Sequence, residues 1–414
     1  MLDRAMRGVK QCRRWALVWV ALLVGGCSAP PELGRAETDV ERGQRYDESE
    51  SFRRSALVAS LENPENGYSR LRLERYRAEQ WGALPIWDPG IRVVSEADIA
   101  GTKPAAGFTA LDIDTVPWDE TALVELGRRA FFEYPVQIAA FAAAALVSPE
   151  APAHYGLWSA EGQLGGLVWT ALPGNAVALS VTCSTCHATT HEERLVVGQN
   201  NAAFELGLLA SDFRGDAPNL AWGPGRLDVT NDGSDNPVAI PDLRPVRYQE
   251  HLQRAATVKN NLIALAIRTE TLIITSLGET VRPPRKLAFA LALFLWRLPD
   301  APLRAPDAKS ARGARIFEAQ CASCHQPPHY SGRPIALDEI GTDPSVGLST
   351  ERGTGSYRVP SLHAVGDRAP LFASGAVRDV AELLDPSRPA AGHAHGLDLD
   401  GAARADLVRF LETL

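Results

Sequence analysis

The sequence predicts a mainly α-helical protein made of two tandem units with long irregular loops. Three observations predict it. The motif Cys-x-x-Cys-His occurs twice, as Cys183-Ser-Thr-Cys186-His187 and Cys321-Ala-Ser-Cys324-His325. A helical pattern with glycine four residues before an aromatic precedes each motif: Gly127 and Phe131, then Gly313 and Phe317. Each unit also closes on one apolar stripe at i, i+3, i+4, i+7, first Leu291, Phe294, Leu295 and Leu298, then Leu407, Phe410, Leu411 and Leu414.

With 414 residues, 45% hydrophobic and 22% charged, the chain is long enough for more than one packed domain. That mixture excludes a disordered, collagen-like or polytopic membrane protein. The formal charge of −8 argues against a nucleic-acid partner.

Residues 1–26 read as a lipoprotein-type signal peptide. Arg4, Arg7, Lys10, Arg13 and Arg14 precede the apolar run Trp15–Val24, which is too short for a permanent span. The run leads through Gly25-Gly26 to Cys27, the pattern of a cysteine that is lipidated and becomes the new N-terminus. Plain cleavage beside an incidental Cys27 is the alternative. Ser28, where an aspartate signals inner-membrane retention, favours the outer membrane, so the chain is expected in the periplasm, attached to membrane through lipid only. Losing residues 1–26 removes five basic residues and one acidic one, taking the charge from −8 to −12. An acidic surface of that kind suits a basic redox partner.

Residues 27–120 are expected to form a polar tether to about 60 and then an irregular wrap rich in Pro, Gly and Trp. The first unit spans 121–300 and the second 308–414, joined by the proline-rich linker Pro299–Asp307. Pro283-Pro284 open the closing helix of the first unit, and Asp400 caps that of the second. An Ala-rich insertion, about 132–182, separates the first leading helix from Cys183. Within it, AAFAAAALV is expected as a buried helix, with part of an apolar access route as the alternative.

The cysteines define the chemistry. Of six, Cys12 leaves with the signal peptide and Cys27 takes the lipid, which leaves only the two matching pairs. In Cys-x-x-Cys-His, the thiols add to the vinyl groups of a haem and the histidine binds its iron from the proximal side. A thioredoxin-like dithiol or half of a zinc site are the other readings of the spacing. A histidine after each pair, on an exported chain with no thiol left over, favours two covalently bound haem c groups and cytochrome c-type units.

The sixth ligand separates the two sites. Both methionines, Met1 and Met6, leave with the signal peptide, so histidine or an open position remains. For the second haem the candidates are His329, His363, His393 and His395. His329 follows His325 too closely to leave the proximal side. His393, in GHAHGLDLD before the closing helix, is the expected ligand, with His395 next. Its equivalent in the first unit, counted back from the stripe, is Leu277; His191 lies four residues past His187, His154 precedes the motif, and His251 could reach the first haem although nothing places it there. The first haem is therefore the expected open, reactive iron. An unlike pair points to catalysis, since a simple relay works with two closed haems.

These residues resemble the bacterial di-haem cytochrome c peroxidase family, with its methylamine-utilisation and rubber-oxygenase-like branches. LGRRAFFEYP is similar to that family's L-G-x-x-L-F-F-D-P, Tyr357-Arg-Val-Pro-Ser-Leu362 to F-x-V-P-T-L, and Ala369-Pro-Leu-Phe372 to A-P-Y-F. GHAHGLDLD and Trp222-Gly-Pro-Gly-Arg-Leu-Asp228 resemble motifs of the oxygenase-like branch. The resemblance covers roughly 121–414 and implies a reactive N-terminal haem fed by a C-terminal one. His363-Ala364 replaces the family's Arg-Asn, Ala373-Ser374-Gly375 its His-Asp-Gly, and Leu384-Asp385-Pro386 stands where its Met ligand falls.

Peroxide cleavage needs a group that carries a proton between the two oxygens. Glu270, beside Arg268, is the first candidate and His251 the second; a solvated charge is the bland reading of each. Trp222 is a candidate for passing electrons between the haems, or else a core tryptophan. Asp228 to Asn236 partly matches a calcium loop, with Ala239 where the terminal glutamate belongs. The expected function is a peroxidase-like oxidoreductase that takes electrons from a small redox protein or other donor and uses hydrogen peroxide or dioxygen. A non-catalytic electron carrier and a di-haem oxygenase on an apolar substrate are the rivals.

Overall fold

Where a polar composition predicts a tether, two helices form: α1 (Asp39–Glu48) and α2 (Glu50–Ser60). Thr38 and Glu41 close a capping box on α1, and Ser49 accepts the Phe52 N–H at the start of α2. The expectation fails because each helix buries only a few residues while charge covers the rest. Tyr46 and Leu57 lie in the main core, and Arg53 is buried with them. A third helix, α3 (Gly67–Arg77), follows within the expected wrap. The described residues of this computed structural model are 36–77, 80–215, 220–228, 235 and 237–414, of which 38–414 pack as one unit. The signal peptide, Cys27 and positions 229–234 and 236 of the calcium-like loop lie outside the described residues.

The Ala-rich insertion also departs from expectation. Its alanines form 3-10 turns over Ala140–Leu146 rather than an α-helix. The rest builds a sheet from β1 (Ile91–Val93), β2 (Gln137–Ile138), β3 (Leu167–Leu172) and β4 (Ala176–Val181), in the order β1-β3-β4-β2, all antiparallel. The signal was legible: Leu-Val-Trp-Thr-Ala-Leu and Ala-Val-Ala-Leu-Ser-Val flank Pro173-Gly174-Asn175, whose last two residues take positive φ in a hairpin turn.

The repeat itself is realised as two crossing helix pairs. Helix α4 (Glu120–Glu133) meets α5 (Arg285–Trp296), and α6 (Ala308–Gln320) meets α7 (Gly401–Leu411). Asp400 accepts the N–H groups of Ala402 and Ala403 at the head of α7. The two glycines do the same work in each pair. A Cβ on Gly127 would fall 2.0 Å from the Ala290 carbonyl oxygen, and one on Gly313 2.0 Å from that of Asp406. The backbones therefore touch only because no side chain intervenes. Gly127→Ala or Gly313→Ala is expected to cost about 1–3 kcal/mol by overpacking, read from thermal unfolding. An unchanged midpoint would contradict the crossing. No described helix is long and apolar enough to cross a membrane.

Candidate functional site

Both Cys-x-x-Cys-His motifs follow the leading helix of their unit and present thiols and imidazole together. The first folds as a short helical turn, Cys183–His187, sewn to the Gly165-Gly166 loop. Thr182 and Thr185 donate to the Gly166 carbonyl at 2.9 and 3.1 Å, and the Trp158 indole donates to that of Ser184 at 3.0 Å. Burial pushes the Cys183 and Cys186 thiols up to about 12 and Cys321 to about 11. A redox dithiol needs a lowered thiol pKa, so that reading loses ground.

The histidine of each motif is fixed in one tautomer. His187 Nδ1 donates to the Pro241 carbonyl at 3.0 Å, and His325 Nδ1 donates to those of Tyr330 at 3.1 Å and Pro360 at 3.2 Å. The proton is thus held on Nδ1, and Nε2 keeps its lone pair for a metal. Burial lowers His187, His325 and His393 to about 4, so all three are neutral and able to coordinate near neutral pH.

The second motif opens on a large cavity lined by Cys321, Cys324, His325, His393 and His395 together with apolar residues such as Phe317, Leu371 and Leu407. The His325 and His393 ring centroids lie 6.5 Å apart, the planes tilted by 53°. Two metal–imidazole bonds of about 2 Å, with each nitrogen about 1 Å from its ring centre, call for roughly 6 Å. The donor set therefore fits a haem iron between the two rings, with the thiols beside it.

His393 is held in place at some cost. Its φ is +47°, a left-handed conformation unusual for a residue with a side chain. The segment is pinned by its N–H to the Ile340 carbonyl at 2.7 Å and by Arg388, which donates to the carbonyls of Ala390, Gly392 and His393. Gly392, at φ +79°, packs against Gly341 and Thr342, where a Cβ would come within 2.2 Å of backbone. His395 is exposed at the cavity edge, its ring 5.8 Å from that of His393.

The other candidates fall elsewhere. His329 stacks on Tyr248 at 3.9 Å, with His363 beside them. His191 meets Gln199 at 3.1 Å, and His154 is exposed beside Tyr155. Among the described residues, no ring pairs with His187 as His393 pairs with His325.

Neither proton-carrying candidate is a solvated charge. Glu270 is fully buried on α8, a helix over Leu262–Ser276 that precedes α5 in the chain. It accepts hydrogen bonds from the Tyr46 hydroxyl, from Trp81 Nε1 at 2.9 Å and from Arg285 Nε at 3.2 Å. These partners make it an anchor between α1, the turn Gln80–Ala83 and α5. Its neighbourhood also raises Tyr46 well above the usual tyrosine range, by burial first and then by the Glu270 charge. His251 Nε2 lies 3.2 Å from Glu62, which holds the ring towards the N-terminal helices.

Trp222 does not line the cavity and donates to Asp235 at 2.8 Å. The link that sequence reasoning missed is Pro241, which accepts the His187 proton and also walls the cavity of the second motif. No spacing rule marks such a carbonyl. In the calcium-like segment, Asp228 pairs with Arg352 at 3.3 Å, and no cluster of metal-binding side chains occurs among the described residues.

No protein-family model and no curated protein matches the chain. Solved structures give distant likenesses. One is a MauG-like protein associated with microbial copper homeostasis, at TM-score 0.36 and 17% identity over 46% of this chain and 78% of that one. Another is hydrazine synthase of Kuenenia stuttgartiensis, at TM-score 0.38 and 15% identity over 78% of this chain and 93% of that one.

Proposed function

We propose that the chain is an exported di-haem c-type cytochrome with oxidoreductase activity, carrying haem on Cys183, Cys186 and His187 and on Cys321, Cys324 and His325. The observation that carries this reading is the pair His325 and His393, spaced for one iron beside a Cys-x-x-Cys pair. Haem bound in this way supplies one-electron chemistry, and at an open position it also takes peroxide or dioxygen. The residues divide that work. His325 and His393 would hold the second haem, which would supply electron transfer. His187, with no ring paired to it, supports a reactive first haem, and Pro241 joins its proximal histidine to the second cavity. Electrons would come from a small redox protein, with Cys27 lipidated at the outer membrane.

Expression with a c-type maturation system, followed by intact-mass measurement, tests attachment. The wild-type chain is expected to gain two haem masses, and Cys183→Ala/Cys186→Ala and Cys321→Ala/Cys324→Ala each to lose one. No mass gain in the wild type overturns the reading.

The non-catalytic carrier is favoured by one observation: Glu270 and His251 are both engaged by structural partners, which leaves no expected proton carrier at the first haem. Peroxide consumption with a reduced donor separates the two readings.

A further inference from the structure

We infer that Arg254, Arg358 and Arg368 form a carboxylate site that receives the propionates of the second haem and sets its reduction potential; this rests on the di-haem reading. All three line the cavity that holds His325 and His393. They come from different parts of the chain: Arg254 from the first unit, Arg358 on the strand Ser356–Val359, and Arg368 from the loop before Pro370.

Each guanidinium is fixed by backbone alone. Arg254 Nη2 donates to Ala239 at 2.9 Å, Arg358 Nη1 to Leu252 at 2.8 Å, and Arg368 Nη2 to Ser361 at 2.6 Å, all carbonyls. Each has a buried Nε without a partner. Among the described residues none of the three forms an ion pair, whereas Arg244 close by is doubly bonded to Asp242. Burial lowers all three from the usual guanidinium range; Arg254 and Arg358 are lowered further by their arginine neighbours.

Three partly buried guanidinium groups held in one cavity wall without an ion pair are costly to keep together, with only the Asp242 carboxylate acting on Arg368 from near by. The backbone bonds nevertheless hold them in the cavity wall. A porphyrin between His325 and His393 brings two carboxylates into the same cavity, and planar guanidinium groups suit them. With Asp242 matched by Arg244, three positive charges against two negative leave one in excess in the cavity. That excess favours the ferrous state, as methionine ligation does at other haems.

The test is spectroelectrochemical titration of the low-spin haem in the haem-loaded protein and in Arg254, Arg358 and Arg368 variants changed singly to Gln or Lys. Each Gln variant is expected to lower the reduction equilibrium constant of the second haem about tenfold, which is 59 mV for one electron. The matching Lys variants are expected to stay near wild type. Where a Gln variant does not load the haem, loading of its Lys counterpart at near-wild-type potential supports the site. Potentials unmoved in the Gln variants, or Lys variants that shift or fail as Gln does, overturn it. A wild-type protein without a low-spin haem overturns the di-haem reading instead, before any variant is needed.

Discussion

His393→Ala is expected to remove the low-spin signal of the second haem and leave a high-spin iron bound by His325 alone, seen in the optical spectrum and by electron paramagnetic resonance. The size of the effect follows from geometry. The His393 ring lies 6.5 Å from that of His325, and His395, the next candidate, is exposed at the cavity edge. His395→Ala is therefore expected to leave the spectrum unchanged. His393→Met should keep six-coordination and raise the potential, as thioether ligation does in cytochromes c. Gly392 gives an independent check, since Gly392→Ala meets backbone at 2.2 Å and must displace the loop that carries the ligand. A His393→Ala protein with an intact low-spin signal would assign the ligand elsewhere.

Glu270→Ala is expected to destabilise the fold by about 3–5 kcal/mol, the cost of leaving a buried ionic partner uncompensated. The partner is Arg285, itself buried, and the Tyr46 hydroxyl and Trp81 indole lose their acceptor at the same time. Urea unfolding reads the loss, and proteolysis should begin in α1 and the turn Gln80–Ala83, which this carboxylate anchors. Both haem spectra should stay as in the wild type. The opposite pattern, unchanged stability with peroxide turnover abolished, would return Glu270 to the proton-carrying role its sequence position predicts.

The sequence made the repeat legible because its determinants are local. Glycine four residues before an aromatic, Cys-x-x-Cys-His and the closing stripe each express one helix face or one turn, and residues 116 positions apart reproduce the same crossing at Ala290 and Asp406. His393 was legible by the same repeat, as a histidine in one unit with leucine at the matching place in the other. The N-terminal helices were not, because Tyr46 and Leu57 are sparse buried positions on charged segments and their partners lie more than two hundred residues away. The partners of Glu270 were hidden for a related reason. A lone acidic residue in an apolar helix looks the same whether it faces a substrate or an arginine, and only Arg285, Trp81 and Tyr46 together decide. The arginine cluster was invisible, since Arg254, Arg358 and Arg368 share no spacing and meet only in the folded cavity.

The central claim is that two haems sit in unlike coordination on one chain. Low-temperature electron paramagnetic resonance of the ferric protein, produced without the lipid anchor, tests it most directly. The account predicts one low-spin haem from His325 and His393 and one high-spin haem on His187, in equal amounts. Two low-spin haems, both in the ferric protein and in a half-reduced sample, would contradict it and leave an electron carrier.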